Sequence, residues 1–150
     1  MIMEEAKLSK VKSLLYDLEK EEILAIISQL EDKEILYVYA YNYNWDNGFE
    51  IPELILNHDK CDLSLALLVF YGADGFSYLS DKSYNGNKLP WHSFIQKIYV
   101  SILDGKYKIG EIAFEVPLSK VQIFKLKKIL SEQENIFLES IGGKNLNIIL

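Results

Sequence analysis

The sequence predicts an all-α (mainly α) protein, a single-domain irregular bundle or stack of short antiparallel helix pairs spanning residues 1–150. Apolar residues recur at steps of three and four in several separate segments, as on one face of an amphipathic helix. Asp, Pro and Gly residues stand beside these segments, where helices usually begin or end. With 49% hydrophobic residues, the 150-residue chain is long enough for one domain with a real core.

Two short helices are predicted at the start of the chain, and a third follows them. The first apolar stripe consists of Leu8, Val11, Leu15 and Leu18, and the second of Ile23, Ile26, Ile27 and Leu30. Asp32 can cap the next helix. Residues 34–44 allow two interpretations, since their tyrosines alternate as in a strand while other apolar residues fit a helix face. We predict a helix, because no partner strand with a hairpin turn lies near.

Turn and cap residues organise the centre of the chain. The run from Asn44 to Gly48 predicts a tight turn, and Pro52 predicts the start of a short helix over residues 53–57. Asp62 is a good N-cap for residues 63–71, which should form the most buried helix. Two glycines, Gly72 and Gly75, are both interpreted as stop signals for this helix.

The last part of the chain alternates turns, helices and an extended segment. Residues 81–88 predict an exposed loop, and a helix with an apolar stripe follows from Pro90 to Ile102. Residues 106–116 lack a helical stripe and are predicted to be either a short extended segment or irregular. Capping-box spacings at 119–122 and 131–134 predict two more helices, the second ending at residues 142–143. The apolar residues 145–150 should dock on the core.

Composition excludes several classes of function. The net charge of −6 repels phosphate backbones and anionic lipid surfaces, so the sequence argues against nucleic-acid and membrane partners. A basic protein partner would be attracted instead. Cys61 is the only cysteine, which excludes an internal disulfide. An acidic N-terminus, and the lack of a run approaching roughly 20 apolar residues, predict a cytoplasmic protein; the oligomeric state stays open.

Candidate site residues concentrate between Trp45 and His92. Asp46, Asp62 and Asp74 could act beside His92 as acid and base if they share a cleft. Each aspartate also has a structural explanation, as a turn residue, an N-cap or the neighbour of a turn glycine. No metal-ligand spacing and no cofactor-binding motif is present, so neither a metal nor a cofactor is predicted.

Binding candidates can be ranked by their local context. Trp45 stands on a turn among polar residues and is the best single binding candidate. Asp46 and Asp74 are the two further binding candidates. Trp91 stands on an apolar stripe and is predicted to be structural, as is Cys61, which precedes a capped apolar helix.

Three stretches carry a resemblance to a known family. They read Tyr43-Asn44-Trp45-Asp46-x-Gly48-x-x-Ile51-Pro52, then Cys61-Asp62-Leu63-Ser64-x-Ala66-Leu67, then Ala73-Asp74-Gly75. In order and spacing they resemble a bacterial family known only as a domain of unknown function, DUF4274. With Trp91 and the helix after it, the resemblance covers about residues 35–105. It implies a bacterial, cytosolic, mainly helical protein and supplies no catalytic residue.

Two functional hypotheses follow. The leading hypothesis is a protein-interaction module, because the chain is small, acidic and without an identifiable catalytic motif. A more specific version of this hypothesis is an immunity or antitoxin-like partner. The alternative is a small enzyme that gathers Asp46, Asp62, Asp74 and His92 in one cleft.

Overall fold

The computed structural model describes residues 3–84 and 89–150, and helices are the main regular structure in both parts. The α-helices are α1 Glu5–Tyr16, α2 Lys20–Gln29, α3 Lys33–Tyr41, α4 Glu50–Leu56, α5 Leu63–Gly72, α6 Gly75–Ser80, α7 Leu89–Leu103 and α8 Lys120–Lys127. Short 3₁₀-helices span Trp45–Asn47 and Glu132–Leu138. The prediction of an all-α fold is confirmed.

The predicted helix at residues 34–44 exists as α3, and its N-cap is the predicted one. The Asp32 carboxylate accepts the backbone N–H of Glu34 at 2.9 Å. The alternating tyrosines face several neighbours: Tyr37 is buried and donates its hydroxyl to the Ala113 carbonyl, while Tyr39 is buried beside Tyr43. Because α3 is packed against the rest of the protein on several sides, its tyrosines can alternate along the sequence as in a strand although the segment is a helix.

Helix α5 lies at the centre and packs against α3, α4, α6 and α7. Its sequence is apolar all round, and most of its side chains are buried. Asp62 caps its first turn by accepting the Leu65 N–H at 3.0 Å. The buried side chains form one hydrophobic cluster that extends from Met3 to Leu146.

Two predicted boundaries in the centre are wrong. The short helix begins at Glu50, so Pro52 occupies its third position and does not start it. Proline is tolerated there because the first four N–H groups of a helix have no intrahelical partner. Gly75 begins α6 and does not end α5, which is already terminated at Gly72.

The end of the chain differs from the prediction in one helix. Both capping boxes are present, but the one at Ser131 opens the 3₁₀-helix, which ends at Leu138 and does not reach residues 142–143. Residues 106–116 are non-helical, as predicted, and mostly irregular: two isolated bridges pair Phe114 antiparallel with Ile141 and Ile112 parallel with Lys144.

The final residues dock as predicted. Leu146 is fully buried, and the Leu150 N–H donates to the Asn42 side chain at 2.8 Å. Of the loop predicted at residues 81–88, the last four residues lie outside the described part of the chain. Its first part, up to Tyr84, is a turn held by hydrogen bonds from Ser83 to the Asp81 carboxylate.

Candidate functional site

The predicted turn at residues 44–48 holds Trp45 in place. The Asn44 side-chain oxygen accepts the Asp46 N–H at 3.0 Å, and the Tyr43 hydroxyl donates to the Gly48 carbonyl at 2.7 Å. Gly48 has a φ of 89°, a backbone conformation that favours glycine. These contacts fix the turn, and with it the position of the half-buried Trp45 side chain.

The Trp45 indole packs on other aromatic rings and on the end of α5. Its ring meets Tyr43 edge-on at a centroid distance of 5.1 Å, and it lies 6.4 Å from Phe49 and 6.2 Å from Phe94. A Cβ on Gly72 would stand only 3.0 Å from the Trp45 Nε1. The absence of a side chain at Gly72 therefore allows this close approach.

Asp74 joins α5 to α6 in a left-handed backbone conformation. Its φ of 68° and ψ of 44° suit aspartate better than most residues with a Cβ. Its carboxylate accepts the Ser77 hydroxyl at 2.7 Å and caps α6, yet the residue stays exposed.

Trp91 connects the start of α7 to the same turn. It is buried, and its Nε1–H donates to the Ala73 carbonyl at 2.6 Å. The Tyr84 ring lies edge-on to it at a centroid distance of 5.5 Å. Trp91 is thus part of the core, as predicted, and also part of the surface described next.

Trp45, Asp74 and Trp91 line one open cleft of about 340 Å³. We call it the tryptophan cleft; it is completed by Phe49, Tyr84 and the backbone of Gly72 and Ala73. Its volume is within the range of small-molecule and side-chain pockets. The structure thus brings together pieces of the first and third motif stretches and the separate Trp91.

Sequence reasoning missed two of these lining residues. Phe49 follows the turn glycine, and its ring stacks on Phe94 at 4.6 Å. Tyr84 lies in a polar segment that reads as loop. The sequence feature that could have identified them is that both are aromatic residues beside turns, which is also the feature that singled out Trp45.

The structure places the other predicted carboxylates outside the cleft lining. Asp46 is exposed on the Trp45 turn. Asp62 caps the start of α5, whereas Asp74 follows its end, and a ten-residue helix separates its ends by about 15 Å. Asp62 and Asp74 are therefore not brought together as the enzyme hypothesis requires.

Asp62 has an unusual environment of its own. One carboxylate oxygen accepts the Leu65 N–H, but the other, Oδ2, is buried and has no hydrogen-bond partner among the residues that the structure describes. It faces Gly110, where a Cβ would overlap it. Burial raises the pKa of Asp62, and the Leu65 N–H offsets this only partly.

His92 and Cys61 each make contacts of their own, His92 with Lys82 and Tyr78 and Cys61 with the Asp62 carbonyl. His92 Nε2 lies 3.0 Å from the Lys82 carbonyl, and its ring packs on Tyr78. Burial, followed by the charge of Asp62, raises the pKa of the Cys61 thiol. A thiol held in its neutral form is a poor nucleophile, which fits a packing role.

Two further clefts exist in the described part of the chain. One of about 470 Å³ is lined by Trp45, Gly72, Tyr41, Tyr71 and the segment after Phe114. The other, of about 410 Å³, lies between α4 and α7 beside Lys97 and Lys106.

Within residues 3–84 and 89–150, no three His, Cys, Asp or Glu side chains stand close enough to share a metal ion. None of the helices described is both long and apolar enough to cross a bilayer.

Comparison with known proteins identifies the family. No curated protein and no solved structure matches the chain. The family model described as Domain of unknown function (DUF4274) matches residues 19–103, which confirms the resemblance and extends it upstream to the start of α2. The matched region includes the turn of Trp45, all of α5 and the whole of α7. Because the match covers more than half of the chain, the protein belongs to the DUF4274 family.

Proposed function

We propose that the protein is a protein-interaction module that docks a basic segment of a partner protein in the tryptophan cleft. The observation that carries this proposal is the convergence of Trp45, Asp74 and Trp91 on one open cleft. The residues of the alternative enzyme hypothesis, by contrast, are dispersed along and around α5.

The chemistry of the cleft suits protein recognition. Tryptophan and tyrosine dominate binding hot spots because they bury a large area at little cost in conformational entropy. Trp91 is held rigidly by its hydrogen bond to Ala73, and Trp45 by the aromatic rings around it. Little ordering is therefore required when a partner binds, which favours affinity.

Charge supports a basic partner. The chain carries a net charge of −6, and Asp46 and Asp74 are exposed carboxylates, one on the Trp45 turn and the other in the cleft. An acidic surface accelerates encounter with a basic protein and repels acidic ones. More specifically, we propose an immunity or antitoxin-like role, which is supported by the small size and the net negative charge of the protein. Its partner would be a basic toxin.

Affinity capture from the native host tests the proposal. The bait proteins are the wild type, Trp45→Ala and Tyr84→Ala, with Phe124→Ala as control because Phe124 is an exposed aromatic residue on α8, outside the cleft. We expect one basic protein to be retained by the wild type and the control and lost from both cleft variants. Tyr84 is 44% exposed, so its removal should leave folding intact.

Salt and folding controls sharpen the result. Capture should weaken as the ionic strength rises, because screening reduces the attraction between exposed charges. Each bait is first shown to be folded by its circular dichroism spectrum and melting curve. A partner that binds the cleft variants as strongly as the wild type contradicts the proposal, and so does the absence of any captured protein.

A further inference from the structure

We infer that the tryptophan cleft binds an alkylammonium cation, such as a lysine side chain or its N-methylated form, between aromatic rings and the Asp74 carboxylate. The inference deepens the proposed function and rests on it for the source of the cation, a lysine of the partner. It concerns the chemistry of the cleft itself, so it can be tested without the partner.

Four aromatic side chains surround the cleft in two pairs. Trp45 and Phe49 form one pair, with centroids 6.4 Å apart and planes inclined by 54°. Tyr84 and Trp91 form the other, at 5.5 Å and 76°. The negative face of an aromatic ring attracts a cation, most strongly at tryptophan, and several rings around one cation form an aromatic cage.

The hydrogen bond of Trp91 directs its polar edge away from a ligand. Its Nε1–H already donates to the Ala73 carbonyl, so this group is not free to donate to a ligand in the cleft that Trp91 lines. A ligand that relies on hydrogen bonding therefore gains little from Trp91, whereas a cation with an aliphatic surface can contact the ring.

Asp74 supplies the opposite charge. One oxygen accepts the Ser77 hydroxyl, but an ionised carboxylate has about four acceptor positions, so capacity for a ligand is left. Asp74 takes part in no ion pair among the described residues. An anion in this cleft would be repelled both by Asp74 and by the net charge of the protein.

The lysines described in the structure do not fill the cleft themselves. Three of them place their ammonium groups over aromatic rings elsewhere: Lys82 over Tyr99, Lys106 over Tyr107 and Lys128 over Phe124. None of the described residues that line the cleft is cationic. The combination of four rings and one carboxylate is thus complementary to a positive group from outside.

The experiment uses the protein's own fluorescence. The chain has two tryptophans, and both line the cleft, so the tryptophan emission reports on this one place. The purified full chain is titrated with choline and with n-butylammonium, which represent the methylated and unmethylated amine. The neutral analogues 3,3-dimethyl-1-butanol and 1-pentanol have similar shapes but no charge.

We expect a saturable change in emission with at least one cation, and about tenfold weaker binding of its neutral analogue. Asp74→Asn should weaken binding of the cation by about tenfold while preserving the fold, because Asn also caps helices and accepts a left-handed backbone. Asp104→Asn is the matched control: it removes an exposed carboxylate that follows the end of α7, outside the cleft lining, and should leave the affinity unchanged.

Equal affinity for the cation and its neutral analogue, or no saturable change with either cation, overturns the inference. So does an Asp74→Asn variant that binds the cation as tightly as the wild type. Should this variant melt early, the comparison of charged and neutral ligands on the wild type decides alone. Cation binding without partner capture would refute the proposed function and leave this inference standing. Partner capture without cation binding would refute this inference and leave the proposed function standing.

Discussion

Gly75 illustrates how a single residue can have a role that its sequence context conceals. Its position after a helical run resembles a stop signal, yet the structure places it at the first position of α6. A Cβ at this position would overlap the ring of Phe70, which is fully buried. A glycine is required here because the Phe70 ring lies against the backbone of Gly75, and this contact exists only in the folded protein.

We therefore expect Gly75→Ala to lower the free energy of unfolding by about 1 to 3 kcal/mol, as overpacking in a core commonly does. Urea unfolding followed by circular dichroism measures the change. Gly142→Ala is the control, because a Cβ there meets nothing within 4 Å. A Gly75→Ala protein as stable as the control would show that Phe70 can move aside.

Glu134 is a buried carboxylate that the fold keeps ionised. Burial alone would raise its pKa, but hydrogen bonds from Tyr99, Lys82 and Ser131 outweigh burial and lower the pKa to about 2. The ordinary pKa of glutamate in an unfolded chain is about 4.3. The stabilisation is therefore fully present above this value and disappears as the pH falls toward 2.

Glu134→Gln should accordingly cost about 1.5 to 3 kcal/mol at pH 7, the usual range for hydrogen bonds to a charged group, and less at pH 3. Urea unfolding of variant and wild type at both pH values tests this. Glu132→Gln, an exposed neighbour on the same 3₁₀-helix, should change little at either pH. A loss that does not shrink on acidification would mean that the charge of Glu134 is not what stabilises the fold.

At the scale of elements, periodicity predicted most helices because it directly reflects burial of one face. It succeeded for α2 and α7, whose apolar residues face the core at the expected steps. In α1 it succeeded only in part, since Val11 is buried as expected but Leu14 is buried as well, and Leu18 lies beyond the end of the helix. It failed for α6, which is six residues long and too short for a stripe. The capping box at Ser131 was real, but a box fixes only where a helix starts and not how long it is.

The central helix also yields a prediction. Leu67 is fully buried in α5, which is surrounded by four other helices, so a cavity there has little room to collapse. Leu67→Ala should lower the free energy of unfolding by about 2 to 5 kcal/mol. Val121→Ala on the exposed face of α8 should change it by less than about 0.5 kcal/mol. Similar losses from both variants in urea unfolding would contradict the central position of α5.

For the whole molecule, the sequence singled out some residues that line the tryptophan cleft, but it did not predict that they come together in one cleft. Trp45 and Asp74 were selected from their turns, but spacing along a chain contains no information on which turns meet. Trp91 was assigned to the core alone, although it both packs and lines the cleft. Asp62 was grouped with Asp74 because both lie in the carboxylate-rich centre of the sequence, while in space α5 separates them.

The shared position of Trp45 has a consequence for how the molecule can respond to ligands. Trp45 and Gly72 line both the tryptophan cleft and the 470 Å³ cleft beside Tyr71. Because Gly72 leaves the indole so little clearance, a displacement of Trp45 alters the shape of both clefts at once. A ligand that displaced Trp45 in one cleft would therefore change the affinity of the other cleft for its own ligand, and thermodynamic reciprocity would make this effect equal in both directions.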